Sequence, residues 1–263
     1  VFSVNDSVSA KDGGSFAGNV AMAGDLTVDT NVLKVDSTNN RVGVGTAIPS
    51  KELDLVGTLQ IEKSGQAINL NTPSSSQNSW INLSDNGSAK WEIQKNASNI
   101  LNIYSYDASA TVMSFDGTGA ITKPLQPAFF ANPASQQTNL AVGGVSNTLV
   151  LFGTERFDRG ADFASSIFTA PVDGLYHFET MIRIHAIDSA SSYYYCNIQT
   201  TNRTHQYIFD PDFGQDATYW TIIAVCLADM DAGDTAKVEI YQGSGTAQSD
   251  IQTVSHFSGH LVC

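Results

Sequence analysis

Helical periodicity, basic side chains, cysteine and long apolar runs are all scarce in this 263-residue chain. No stretch of about 18 apolar residues occurs, so membrane insertion through a helix is not expected. Only 13 Lys and Arg stand against 26 Asp and Glu, a formal charge of −13. Such a surface repels phosphate backbones, which argues against nucleic acid as a partner. The excess is concentrated in residues 126–263, which hold five basic and fourteen acidic side chains. Three cysteines, Cys196, Cys226 and Cys263, are too few for a disulfide framework. Cys196 and Cys226 fall inside apolar, strand-like segments, where a buried free thiol is the expectation. An odd count fits assembly in a reducing cytosol. The chain opens on Val1 without Met and without a basic, then apolar, leader, and so reads as a fragment, a processed product or an internal start.

Catalytic motifs are missing as well. No G-x-S-x-G elbow is present, and "RVGVGT" has glycines but no following helix to receive a dinucleotide. Acids are frequent, but none form a pair that spacing singles out for glycoside hydrolysis. No catalytic residue is assigned, and the chain is read as a non-enzyme.

What remains is β text, and the chain is read as all-β. "VLKVDSTNNRVGVG" is two alternating arms around a turn-rich loop, and "WINLSDNGSAKWEI" repeats the plan around Asp85-Asn86-Gly87. Trp80 and Trp91 flank that reversal and are expected on one sheet face. "LNIYSYDASATVMSFDGTGAI" is a third such unit, and "SKELDLVGTLQIEK" reads as turn plus strand more readily than as a short helix. Each hairpin exposes too little apolar surface to stand alone, so partner chains are needed. Pro124 and Pro127 in "TKPLQPAF" mark a boundary, giving a β-hairpin shaft over 1–125 and a second domain over 126–263. Beyond it the strands lengthen: Ala128–Ala131, Thr148–Phe152, Ser166–Thr169, Gly174–His185, Tyr193–Thr201, His205–Phe209, Trp220–Leu227, Ala236–Tyr241 and Val254–Val262. Many strands between turn signals point to a sandwich or jelly roll.

Spacing in the second half is distinctive. Phe152, Asp158 and Phe163 fall at F-x5-D-x4-F, and Phe168, Gly174, Tyr176 and Phe178 at F-x5-G-x-Y-x-F. "AGDTAKVEI" supplies a Gly233-Asp234 turn, and "HFSGHLV" places Phe257-Ser258-Gly259 on the last strand. Together these resemble the globular head of complement one-q and its tumour-necrosis-factor-like relatives. The resemblance implies a ten-stranded jelly roll forming tight homotrimers, with Phe168, Gly174, Tyr176, Phe178 and Gly259 as its core motif. This chain departs from the pattern in the short Phe163–Phe168 gap and in Thr180, which stands where an aromatic is usual. The first half resembles bacteriophage tail- or capsid-fibre segments in "GNVAMAGDLTV", "NRVGVGTAIPSKELDLVGTLQI" and "WEIQKNASNILNIY…MSFDGTGAI". There, trimeric shafts carry a terminal receptor-binding head.

Strand parity sorts the candidate residues. On Gly174–His185, Tyr176, Phe178, Ile182 and Ile184 take the core side, while His177, Glu179, Met181, Arg183 and His185 take the other. The resemblance puts that second side at a trimer axis, so His177, Glu179 and Met181, with Phe257 and Leu261 of the last strand, are interface candidates. His177 would be a hydrogen-bonded interface histidine or, in a ring of three copies, a metal ligand. His256 and His260 read as structural.

If the last strand descends to the base, alternation sends Ala186–Ser192, Asp210–Thr218 and Gly243–Gln252 to the apex. Asp188, Tyr207, Asp210, Asp212, Phe213, Asp216, Tyr219 and Asp250 are then receptor-binding candidates, since aromatics among small polar groups suit recognition. "DPDFGQD" sets Asp210, Asp212 and Asp216 beside Gly214, a pattern open either to Ca2+ coordination or to a solvated acidic loop. No other cofactor is expected. The functional expectation is a homotrimeric phage fibre, located in the virion. Its N-terminal region would meet other virion proteins, and its head would bind a host-surface glycan or protein. The alternatives are a secreted lectin-like or matrix protein with the same head and, ranking lower, a capsule depolymerase.

Overall fold

The computed structural model describes residues 23–65, 68–144 and 147–263. "GNVAMAGDLTV" begins outside the described residues. Two compact units divide at Asn69 and Leu70.

In the first unit, β1 (Leu26–Val28), a single turn α1 (Asp29–Val32), β2 (Leu33–Asp36), β3 (Arg41–Val44) and β4 (Leu53–Leu55) build a four-stranded sheet in sequential order. The β2–β3 reversal is held by the Asp36 carboxylate, whose Oδ1 accepts the N–H groups of Thr38 and Asn39 at 3.0 Å each. Strand β4 lies parallel to β3, and the rest of "SKELDLVGTLQIEK" adds no further strand.

The second unit opens with a meander of β5 (Ser79–Asp85), β6 (Ser88–Lys95), β7 (Leu101–Ser105), β8 (Ala110–Phe115) and β9 (Ile121–Thr122), each paired antiparallel with the next. Asn86 and Gly87 both take left-handed φ, 46° and 79°, the conformation a two-residue hairpin turn requires. Trp80 sits opposite Gln94, whereas Trp91 sits opposite Leu83, with a bulge between Leu83 and Ser84. The two tryptophans therefore lie on opposite faces, correcting the expectation that they meet. Their positions in the strands differ by an odd step, and side-chain direction alternates every residue. Segment 123–127 joins this meander to the sandwich within the same compact unit.

The sandwich comprises β10 (Ala128–Asn132), β11 (Thr148–Leu149), β12 (Thr154–Arg159), β13 (Phe163–Ala164), β14 (Ile167–Thr169), β15 (Gly174–Ile187), β16 (Tyr194–Thr200), β17 (Thr204–Phe209), β18 (Ala217–Met230), β19 (Thr235–Gln242), β20 (Asp250–Ile251) and β21 (His256–Leu261). One six-stranded sheet runs β12-β10-β21-β15-β18 with β20 on β15; the other runs β13-β14-β19-β16-β17 with β11 on β19. The expected ten strands are the two five-stranded main orders, and the two-residue pairings β11 and β20 outside those orders bring each sheet to six. The short Phe163–Phe168 gap closes as a tight hairpin, with Phe163 opposite Phe168 and both Ser165 and Ser166 at positive φ.

The core is aromatic. The Phe129 ring stacks on Phe163 at 4.5 Å and on Phe168 at 5.1 Å, and meets Phe257 edge-on at 4.9 Å. Tyr176 and Phe178 complete the cluster and are fully buried. Asp158 accepts the Phe163 N–H at 3.0 Å, which fixes the turn that brings that ring inward. Thr180, in its usually aromatic position, is buried and donates its hydroxyl to the His256 carbonyl at 2.7 Å, tying β15 to β21. All three cysteines are free, and burial pushes the Cys196 thiol up to about 12 and Cys226 to about 11.

Gly259 underlies this packing. A Cβ there would stand 2.5 Å from Phe178 Cδ1 and 2.8 Å from Phe129 Cε1. Gly259→Ala must displace one ring or the strand, and its expected cost is about 1–3 kcal/mol. Urea unfolding checks this through a lowered midpoint with an unchanged slope.

Candidate functional site

Two surfaces of the sandwich carry the candidate residues: the outer face of the β12-β10-β21-β15-β18 sheet and one end of the sandwich.

On the sheet face, register builds rows across the strands. Leu227, His177 and His260 form one, Val225, Glu179 and Ser258 a second, and Ile223, Met181 and His256 a third. The His177 and His260 rings are 5.2 Å apart, and His256 stacks on Phe130 at 4.9 Å. Strand β18 is apolar on both sides. Ile222, Ala224, Cys226 and Ala228 are buried, while Ile223, Val225 and Leu227 face solvent, Ile223 being 59% and Leu227 57% exposed. A sheet edge with apolar residues outward is what a second surface covers. Sequence reasoning missed these three residues, although the unbroken apolar run "IIAVCLA" carried the signal.

Phe257 does not belong to this face. It is 0% exposed and packs against Phe129, Phe152 and Phe178, because its parity on β21 points inward. Leu261 packs partly against the same core. Gly174 lies under the chain end, where a Cβ would stand 2.6 Å from Leu261 Cδ1.

At the end of the sandwich, the loops containing residues 186–192, 210–216 and 243–249 are linked to one another. Asp216 accepts the Ser189 N–H at 2.9 Å, the Ser189 hydroxyl at 2.8 Å and the Gln248 amide at 2.8 Å. These donors hold its carboxyl below the usual carboxylate range. Asp188 turns inward, 4% exposed, accepting the N–H groups of Ala190 and Thr246. It is thus a loop clamp and presents no carboxylate to a receptor. Asp250 accepts the Gln136 amide at 2.6 Å and the Asn139 N–H at 2.9 Å, with His185 Nδ1 at 3.5 Å. Tyr207 is another correction: it packs against the core, and its hydroxyl bonds to the Val225 backbone, strapping β17 to β18. Asp210, Asp212 and Phe213 are exposed on their loop, and Tyr219 is exposed beneath the Arg183 guanidinium, 4.3 Å from the ring centre.

Among the described residues, no group of three or more His, Cys, Asp or Glu converges as a metal site. Asp210, Asp212 and Asp216 are not brought together as Ca2+ ligands, since Asp216 is already committed to Ser189 and Gln248. Sequence reasoning also missed Trp220. Its ring joins Phe209 at 5.3 Å and Phe213 at 5.2 Å, and Phe209 stacks on buried Tyr194, making an aromatic column from core to surface.

This is an all-β sandwich with one apolar outer face and a set of cross-linked end loops. Residues 128–262, just over half the chain, match the C1q domain, and the chain belongs to that family. Such domains are typically non-catalytic and usually form homotrimers. No curated protein matches the chain. Similar solved structures include the globular domain of zebrafish complement 1qA, 17% identical, covering 52% of this chain and 98% of its own, with a TM-score of 0.38. Murine APRIL at pH 8.5 is 11% identical, covering 52% and 99%, also with a TM-score of 0.38.

Burial lowers the affinity of His256 and His260 for protons, with His177 adding to the effect at His260 and Glu179 opposing it at His256. The unfolded chain therefore binds more protons than the folded one near and below the ordinary imidazole value of about 6.5. Stability is expected to be full above that value and to fall as pH drops through it. Thermal melts between neutral and mildly acid pH check this, and the slope should flatten in the double variant His256→Gln, His260→Gln.

Proposed function

We propose that this protein is a homotrimeric adhesive fibre of a virion whose C-terminal C1q head recognises a host-surface receptor, a glycan or a protein. The observation that carries the trimer is uncovered apolar surface on two separate sheets. On the head it is the Ile223, Val225 and Leu227 stripe with Met181 beside it. On the meander, one face carries Leu83 and Trp91 in one row, Ile81, Ile93, Ile103 and Met113 in a second, and Leu101, Phe115 and Ile121 in a third. An isolated sheet of this kind is marginal in water, and three copies turned inward about an axis would cover each other.

A recognition role is supported by the C1q domain and by exposed Phe213, Trp220 and Tyr219 beside the cross-linked loops. Three loop sets acting together raise weak contacts to useful avidity, by about 10² or more. The fibre and virion assignment rests on the β-hairpin character of the segment ahead of the head. The N-terminal region is assigned to contacts with other virion proteins.

Light scattering of the full chain at micromolar concentration is expected to give three chains per particle. The double variant Ile223→Glu, Leu227→Glu places six like charges on the covered face of a trimer and should yield monomers that keep the β signal of the sandwich in the far-UV and lose that of the uncovered meander. Monomeric wild-type protein would remove the proposal.

A further inference from the structure

The meander's second face is as distinctive as its apolar one. Register places Trp80 opposite Gln94, Gln94 opposite Asn102, and Asn82, Glu92 and Tyr104 in a neighbouring row. Glu92 is only 8% exposed and lies in an open recess of 360 Å3 lined also by Gln94, Tyr104, Tyr106 and Thr111. Its two oxygens accept the Gln94 amide at 2.7 Å and the Tyr106 hydroxyl at 2.9 Å. The Tyr104 and Tyr106 rings meet at 80° with centres 5.2 Å apart. Among the described residues no cation pairs with Glu92.

Two features of this face are unexplained by folding. A carboxylate withdrawn from water without a countercharge is costly, and each of its oxygens keeps acceptor capacity after one hydrogen bond. Trp80 is 51% exposed on the polar side of the sheet, away from the apolar rows that assembly would cover. A flat indole beside planar amides and a fixed carboxylate is the equipment for a pyranose. The ring takes the sugar's C–H face, and the carboxylate and amides take its hydroxyls.

We propose that this recess, together with the adjoining cross-strand row of Trp80, Gln94 and Asn102, is a binding site for a neutral saccharide, with Trp80 as the stacking platform and Glu92, Gln94 and Asn102 as the hydroxyl-binding groups. Acidic sugars are disfavoured by Glu92 itself and by the chain's charge of −13. The site lies apart from the end loops of the head, so it goes beyond the receptor reading and stands or falls separately.

The test probes the 263-residue chain with immobilised neutral oligosaccharides (hexose and N-acetylhexosamine chains), with sialylated and uronic-acid glycans, and with a quaternary ammonium ligand. The expected result is binding of one or more neutral chains, weakened about tenfold or more by Trp80→Ala. Glu92→Gln should lose binding too, while Ile48→Ala, at an exposed residue of the first unit, leaves it unchanged. Trp80 is exposed, so its replacement leaves the fold intact, and an unchanged far-UV spectrum and oligomeric state verify that. The proposal is overturned if no neutral saccharide binds, if binding survives Trp80→Ala, or if only the acidic or quaternary ammonium probes bind. Loss through Phe213→Ala with retention in Trp80→Ala would place glycan recognition on the head and remove this site alone.

Discussion

Side-chain alternation along Gly174–Ile187 is the constraint on which the sandwich depends. This strand is the long spine of its sheet, paired to β18 on one side and to β20 and β21 on the other. Tyr176, Phe178, Ile182 and Ile184 pass inward to the aromatic core. Apart from Thr180, which also turns inward, the residues between them are thereby committed to the outer face, where His177, Glu179 and Met181 line up with Leu227, Val225 and Ile223. Core and outer face are thus two readings of one strand. A change that disturbs the first also moves the second, since the backbone between them is shared.

Much of this was legible in the chain itself. The F-x5-G-x-Y-x-F spacing works because Tyr176 and Phe178 must share a face, a local requirement, and because Gly174 leaves room for the chain end that passes over it. Turn chemistry was equally direct at Asp36 and at Asn86-Gly87. What escaped was non-local. Phe257 reads as an interface residue until its inward parity is fixed by pairing with Thr180 and Ala131. Tyr207 belongs to a strap because β17 passes near β18, which no spacing in the sequence reveals. Asp188, Asp210, Asp212 and Asp216 look alike as acids in loops, yet two are held by donors from neighbouring loops and two lie exposed. Composition does not say which hydrogen-bond donors will arrive.

The exposed apolar residues of β18 and of the meander were hidden for a further reason. In "TIIAVCLA" and "WINLSDNG" the apolar positions were read as strand content, whereas the informative quantity is what each sheet face meets. Where both faces of a strand are apolar, one chain supplies only one cover. That relation concerns surfaces between molecules, and it becomes visible only once the strands have been laid side by side.

The bulge between Leu83 and Ser84, and its counterpart between Ile103 and Tyr104, set how this meander can vary in length. Each absorbs one residue of mismatch between neighbouring strands. Inserting or deleting a single residue elsewhere in β6 would carry Trp91 and Ile93 to the wet side and Glu92 and Gln94 to the dry one. Changes in twos would leave both faces as they are. Related chains should therefore differ in strand length by even steps, with odd steps confined to the turns and to the two bulges.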